Sequence, residues 1–322
     1  MMSSTITLCF LLLSSGVLHV YGSCVGRCND PLDNTKPCQC NSHCVQYNDC
    51  CDDYHDVCGQ GSLSSLADTL WNLDVNRLVA DTDYVINYQG QVNENNKYDN
   101  APLPFFTSLN ENKVDSITSY VQFKSLLDNY ESTIGQAEDL TSQEWGEIDA
   151  FLDTVMASGV MQEAFKYLHE NGHVPNDAAQ FREKLKEMWF NLYPRSSGGV
   201  IESSGFEHVL VGEHRSTVSG FHNWLQFFLQ EDAGRLDYQG FVKTGEPRIV
   251  GSQFDWVGYW KSLGSFFLGT SPEFDMSLYS VCAIMHPNAV CSFHMNGSDV
   301  RIQTWDIGHK TGLQIASAYP IL

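Results

Sequence analysis

Three histidines fall within fifteen residues of one another: His208, His214 and His222, with Glu207 and Glu213 beside them. Imidazole is the side chain that titrates unperturbed near neutral pH, so two of these rings could supply one general base and one general acid. Each has a plainer reading when taken singly. His208 shares a face with Phe206 and Leu210 if Phe206–Val211 is a strand, and Glu207 then points to the opposite face. His214 follows Gly212-Glu213 in a turn, where it would be solvated. His222 stands just before the apolar run Trp224, Leu225, Phe228 and could cap a helix. Lys261 is a lone cation in an aromatic stretch (Phe254, Trp256, Tyr259, Trp260, Phe266, Phe267), placed either to hold an anion or to snorkel to solvent. In Leu313–Pro320, alternation puts Ile315, Ser317 and Tyr319 on one face, so a hydroxyl and a phenol project together. Gly-rich phosphate loops, His-Glu-x-x-His and Gly-x-Ser-x-Gly are absent from the sequence, which argues against nucleotide-dependent, zincin and serine-nucleophile chemistry.

The elements around these residues divide the chain. Leu63, Leu66, Leu70 and Leu73 fit one helix face, and Val114, Ile117, Val121 and Phe123–Leu127 another. Thr141 and Glu144 form a capping box before Trp145, Ile148, Phe151 and Leu152. Phe181, Leu185, Met188 and Leu192 make a core stripe. Residues 63–193 therefore read as a helical lobe, irregular near 90–105. After Tyr193–Gly199, strands are expected at 206–211, 236–242, 248–257, 279–285, 290–295, 299–305 and 313–319. Helices are expected over Asn223–Asp232 and from Ser271-Pro272-Glu273. The fold class is α+β: a helical lobe followed by a mostly antiparallel β lobe of about 200–322.

The chain of 322 residues carries 18 Lys and Arg against 39 Asp and Glu, a net charge of -21. A polyanionic substrate must then be held by a local basic patch or a bridging cation, not by the overall field. Eight of the 11 cysteines lie between Cys24 and Cys58: Cys24, Cys28, Cys38, Cys40, Cys44, Cys50, Cys51 and Cys58. So small a segment cannot fold on apolar burial alone. The vicinal pair Cys50-Cys51 favours four disulfides over zinc, with 105 pairings open. Residues 1–22 read as a signal peptide that removes Cys9, and no later stretch is apolar enough to cross a bilayer. A secreted, soluble protein is expected. Cys282 and Cys291 are placed on two strands and are either a bridge or a pair of buried thiols. Asn296-Gly297-Ser298 is a glycosylation sequon.

The spacing Cys-x3-Cys-x9-Cys-x-Cys-x3-Cys-x5-Cys-Cys-x6-Cys, with Cys-Cys-Asp-Asp-Tyr at 50–54, resembles a somatomedin B domain, which implies a disulfide knot that contacts another extracellular protein. Four later blocks resemble the poly(U)-specific endoribonuclease (EndoU) family: Ser204–Glu213, Gly220–Trp224, Gly264–Phe274 and Ser317–Pro320. The resulting organisation is a signal peptide at 1–22, a somatomedin B-like module at 23–60 and an EndoU-like domain at 61–322. The resemblance implies catalytic His208, His222 and Lys261. It implies substrate contacts from Ser265, Ser317 (where the family commonly has Thr) and Tyr319, and supporting carboxylates at Glu207 and Glu213.

It further implies manganese as cofactor, or calcium in its place, through ligands the sequence does not identify, and single-stranded RNA as substrate of a monomer. Cleavage at uridine would use the 2′-hydroxyl as nucleophile, leaving a 2′,3′-cyclic phosphate and a 5′-hydroxyl. The competing reading is a secreted binding or adhesion protein, in which the cysteine module docks a partner and the large domain is inactive. The occupied polar positions count against that decay.

Overall fold

The computed structural model describes residues 22–322 except 26, 29, 42, 48, 59–60, 196–198 and 309–311. Residues 1–21 of the expected signal peptide and Gly59-Gln60 at the end of the expected somatomedin B-like module lie outside the described residues. The cysteine-rich module carries two short helices, α1 (Cys44–Tyr47) and α2 (Tyr54–Val57). Its bridges are Cys24–Cys40, Cys28–Cys58, Cys38–Cys51 and Cys44–Cys50. They close a small core of their own around Cys24, Cys40, Cys44, Cys51 and Tyr54. Half-cystines replace the apolar side chains that so short a segment lacks.

The helical part follows: α3 (Leu63–Leu73), α4 (Glu111–Ser116), α5 (Thr118–Leu126), α6 (Ser142–Ala157), α7 (Gly159–Glu170) and α8 (Ala178–Phe190). Local chemistry sets their starts. Ser62 accepts the Ser65 N–H at the start of α3. Thr141 and Glu144 bond each other's backbone at α6, the full capping box. Two short strands, β1 (Tyr84–Ile86) and β2 (Phe106–Leu109), pair antiparallel between α3 and α4. The run read as one helix at 114–127 is two, broken at Ile117, whose extended backbone caps α5.

The second part has β3 (Glu213–His214), β4 (Val218–Ser219), α9 (Trp224–Asp232), β5 (Leu236–Gly245), β6 (Ile249–Trp256), β7 (Tyr259–Phe267), α10 (Pro272–Met285), β8 (Val290–Met295), β9 (Ser298–Asp306) and β10 (Ile315–Pro320). Strands β5-β6-β7 form one antiparallel sheet, and β10-β9-β8 another. Three expectations are corrected. Phe206–Val211 is not a strand: Glu207–Val211 is a single π-helical turn, closed by the Gly212 N–H on the Glu207 carbonyl at 2.7 Å. Residues 279–285 are the second half of α10. Glu207–Val211 and Tyr279–Ala283 are buried on every side, so neither shows the periodicity that separates strand from helix. Cys282 therefore sits on a helix, bridged to Cys291 on β8. Strand β7 falls in the aromatic stretch that showed no alternation.

One apolar cluster runs from Leu63 to Ala318, so the helical and β parts share a core. Helix α10 lies at its centre, against α3, α5, α7, β9 and β10.

Candidate active site

Phe206 anchors the π-helical turn. Its ring stacks on Phe190 at 5.0 Å and meets Phe123, Tyr130 and Phe151. This fixes the backbone from which Glu207 and His208 project. Residues 220–222 cross directly over the turn. The Phe221 N–H donates to the His208 carbonyl at 2.9 Å, and the His222 N–H to the Val209 carbonyl at 2.6 Å. Gly220 is what permits this approach. Its φ is +63°, and a Cβ there would lie 1.7 Å from the His208 carbonyl oxygen. Phe221 takes a left-handed φ of 70° and is held there by Phe254 and Trp256. Asn223, not His222, caps α9, accepting the Leu225 and Gln226 N–H groups.

Both rings are fixed through Nδ1. His208 Nδ1 donates to Glu213 Oε2 at 2.5 Å, and His222 Nδ1 donates to the Ser265 carbonyl at 2.9 Å. Each imidazole thus keeps Nε2 as its free nitrogen. The Lys261 ammonium donates to the Gly220 carbonyl at 2.7 Å, two residues before His222. It does not snorkel: the ammonium sits deep although the residue keeps some exposure. Tyr319 stacks on His222, with centroids 4.7 Å apart and planes at 17°. Ser265 Oγ donates to the Pro320 carbonyl at 2.6 Å, which ties β7 to β10 behind the ring. Ser317 lies two residues before Tyr319 on β10, buried where Tyr319 is partly exposed.

Electrostatics follow from burial. His208 is lowered to about 4, chiefly by burial and then by the Arg195 charge, with Glu213 opposing both. Burial and the Lys261 ammonium push His222 well below its usual value. Burial lowers Lys261 to about 8. Burial would raise Glu213, but the contacts with His208 and Arg195 hold it below the usual range. The pair is therefore a neutral imidazole donating to a carboxylate. Glu207, without exposure, is raised far above the carboxylate range by burial and then by the Glu213 and Glu138 charges. It stays protonated at neutral pH.

His208, His222, Lys261, Ser265, Tyr319, Glu213 and Glu207 thus gather around the crossing of the 220–222 segment over the π turn. Two corrections concern the side chains. Glu207 does not face away from His208 across a strand but is buried beside it. His214 is not solvated: its ring stacks on Tyr259 at 4.3 Å and its Nε2 meets Ser132 Oγ at 3.2 Å. Arg195 escaped sequence reasoning because it stands in the Gly- and Ser-rich connector. Its Nε lies 3.3 Å from Glu213 Oε2, and Nη2 donates to the Tyr193 hydroxyl and the Ala316 carbonyl. With few cations in so acidic a chain, an Arg beside the lobe boundary was the available signal.

A divalent cation has no ready cage here. Among the described residues, the one group of three potential ligands within reach of each other is Cys24, Cys40 and Cys51, whose sulfurs are in disulfides. Glu207 Oε1 and Oε2 and Glu213 Oε1 are buried without partners, but they are two carboxyls, not a coordination set.

The family model of Endoribonuclease XendoU matches residues 62–320, and that of the Somatomedin B domain residues 22–61. The chain belongs to the XendoU endoribonuclease family. It is 37% identical over 315 residues to the uridylate-specific endoribonuclease of Mus musculus, covering 89% of this chain and 76% of that one. It is 40% identical over 276 residues to uridylate-specific endoribonuclease B of Danio rerio, covering 82% and 96%. A solved structure of XendoU, described as a splicing-independent snoRNA processing endoribonuclease, superimposes with a TM-score of 0.68 at 34% identity, over 81% of this chain and 96% of that one. The XendoU match spans the helical and β parts together, as their shared core requires. The somatomedin B match covers all four bridges of the N-terminal module, a disulfide framework typical of extracellular proteins. Among the described residues no helix is long and apolar enough to cross a membrane.

Proposed function

We propose that the chain is a secreted endoribonuclease that cleaves single-stranded RNA at uridines by attack of the 2′-hydroxyl on the adjacent phosphorus. The observation that carries this reading is the crossing of Gly220–His222 over His208. It joins the backbones that carry two Nδ1-anchored imidazoles, with the Lys261 ammonium on the Gly220 carbonyl beside them. His222 is the better base. Its partner is a neutral carbonyl and its neighbour a cation, so its Nε2 stays unprotonated and available for the 2′ proton. His208 is the better acid. Glu213 favours its imidazolium once an incoming phosphate adds negative charge, and Nε2–H can then protonate the leaving 5′ oxygen. Each step typically contributes ~10²–10⁴-fold. Lys261 would stabilise the charge gathering on the phosphorane. The bond formed is O2′–P and the bond broken is P–O5′, leaving a 2′,3′-cyclic phosphate and a 5′-hydroxyl. DNA lacks the nucleophile and is not cut.

The stacked Tyr319 and the neighbouring Ser317 and Ser265 support a uridine pocket bounded by β10 and β7. The family resemblance supports a divalent cation, manganese or calcium, as activator. The site residues supply no cage of their own for it, and we assign the bond-making step to the two histidines and Lys261. In the organisation we propose, residues 1–22 direct export, 23–60 form a module that engages an extracellular protein, and 61–322 form a monomeric nuclease unit. Asn296, exposed at the β8–β9 turn, would carry a glycan. The test is incubation of a uridine-containing oligonucleotide with the protein, with and without manganese, and analysis of the product ends. Cyclic phosphate 3′ of uridine supports the reading; intact substrate in manganese contradicts it.

A further inference from the structure

The β3–β4 hairpin beside the site carries a cation that the bond-making step does not use. Glu213 pairs with Ser219 and His214 with Val218, so Arg215-Ser216-Thr217 is the exposed turn between the strands. The hairpin is held firmly. The His214 N–H donates to the Ser132 carbonyl at 2.7 Å, the Ile134 N–H donates to the His214 carbonyl at 3.0 Å, and the His214 ring lies on Tyr259. Beside the turn is a cleft of about 340 Å³, lined by Arg195, Arg215, Ser216, Thr217, Ser219 and Ile134. Among the described residues, two cations and three hydroxyl side chains line it and no carboxylate does, in a chain whose net charge is -21. Arg195 is already paired with Glu213 at 3.3 Å. Arg215 has no ion-pair partner among the described residues.

We propose that this cleft is a phosphate subsite, in which Arg215 holds the internucleotide phosphate next after the scissile one, on its 3′ side. The assignment rests on the endoribonuclease reading, with His208 as the acid. Two walls of the cleft are tied to the catalytic groups. Arg195 holds the Glu213 carboxylate that holds His208, and Ser219 precedes Gly220, whose carbonyl holds the Lys261 ammonium. The leaving strand, protonated by His208, therefore runs toward the cleft, and the first charge it brings there is a phosphate. A guanidinium meets phosphate oxygens with two parallel N–H groups, and the hydroxyls of Ser216, Thr217 and Ser219 are further donors to the same group. Such contacts read no base edge, so the subsite adds affinity and register on the leaving side without sequence preference. It also lets a strongly acidic chain draw a polyanion through one local cationic cleft.

The experiment compares wild type with Arg215→Ala and Arg215→Lys on oligonucleotides containing a single uridine. One substrate ends at the nucleoside after the uridine and so lacks the downstream phosphate; the other continues for two more nucleotides. A charge-assisted contact to one phosphate at an exposed site is worth about ten-fold in affinity. Arg215→Ala should therefore lower kcat/KM by about ten-fold on the longer substrate, mainly through KM, and leave the shorter one unchanged. Arg215→Lys, which keeps the charge, should recover most of the loss. Replacing the downstream phosphate by a neutral methylphosphonate should cost wild type the same factor and cost Arg215→Ala nothing further. Equal losses on both lengths, no loss on either, or a loss tied to the upstream phosphate instead overturns the proposal. Should the protein cut no RNA, which would count against the endoribonuclease reading alone, binding of a 2′-deoxyuridine oligonucleotide still decides the subsite. A methylphosphonate penalty present in wild type and missing in Arg215→Ala supports it, and an identical penalty in both contradicts it.

Discussion

Tyr319 and His222 lie ring on ring, 4.7 Å apart at 17°, although they come from opposite ends of the β part. The stack gives Tyr319 two tasks. It limits the tilt of an imidazole whose Nδ1 is already fixed by Ser265, and in the proposed reading it offers its outer edge to a bound nucleoside. Tyr319→Phe keeps the ring and should retain activity within about ten-fold. Tyr319→Ala removes both contacts and should lower kcat/KM by about 10²-fold or more. Steady-state kinetics on a uridine oligonucleotide compare the two; equal effects would show that the ring itself is not what matters.

The pH profile follows from burial. With Lys261 lowered to about 8, the charge we propose for stabilising the phosphorane is lost as pH rises through that value, so activity should fall on the alkaline side near pH 8. Lys261→Arg keeps the charge to far higher pH. Its alkaline limb should move upward even where its maximal rate is reduced. An unmoved limb would assign the titration to another group.

Glu213→Gln removes the carboxylate that raises the proton affinity of His208 while burial and Arg195 lower it. The imidazolium then becomes harder to form. We expect about 10²-fold loss of kcat and an alkaline limb displaced to lower pH. Loss of rate with an unchanged limb would mean that Glu213 positions the ring without tuning it.

Glu207 predicts an opposite effect on stability. Its folded pKa is raised above the unfolded value, so the unfolded chain releases its proton near 4.5 while the folded chain retains it. Its contribution to stability is full below that pH and declines as pH rises above it. Glu207→Gln abolishes the decline and should be more stable than wild type at pH 8 relative to pH 5, by urea unfolding. His208 runs the other way. Its folded pKa of about 4 lies below the unfolded 6.5, so stability is full above 6.5 and is lost as pH falls toward 4.

Gly220→Ala places a methyl group against the His208 carbonyl, where backbone cannot yield without separating the two histidines. Activity should fall by about 10²-fold or more with the helical content retained in circular dichroism. Wild-type rates would show that the crossing is not needed.

Much of this arrangement was legible in the residues. The capping box at Thr141 and Glu144 and the helix start at Ser271 are local signals, each satisfied within a few residues of itself, whereas the expected alternation of β10 is broken by a bulge between Ile315 and Ser317. His208, His222, Lys261 and Tyr319 were legible through the resemblance of their blocks, because composition alone gives each histidine a structural reading. What stayed hidden depends on burial from all sides. The π-helical turn and the second half of α10 carry no polar face to set a period. The burial of Glu207 and His214 arises from elements distant in the chain. Arg195 reaches Glu213 and Ala316 from a connector that looked like a spacer.

The central claim is that His208 and His222 act on one phosphodiester through a cyclic phosphate. The direct measurement is digestion of an oligonucleotide with a single uridine by wild type, His208→Ala and His222→Ala, with the product ends identified by mass. The account predicts a 2′,3′-cyclic phosphate from wild type and a loss of ~10²–10⁴-fold in each variant. A 3′-hydroxyl with a 5′-phosphate, or full rate in either variant, would contradict it.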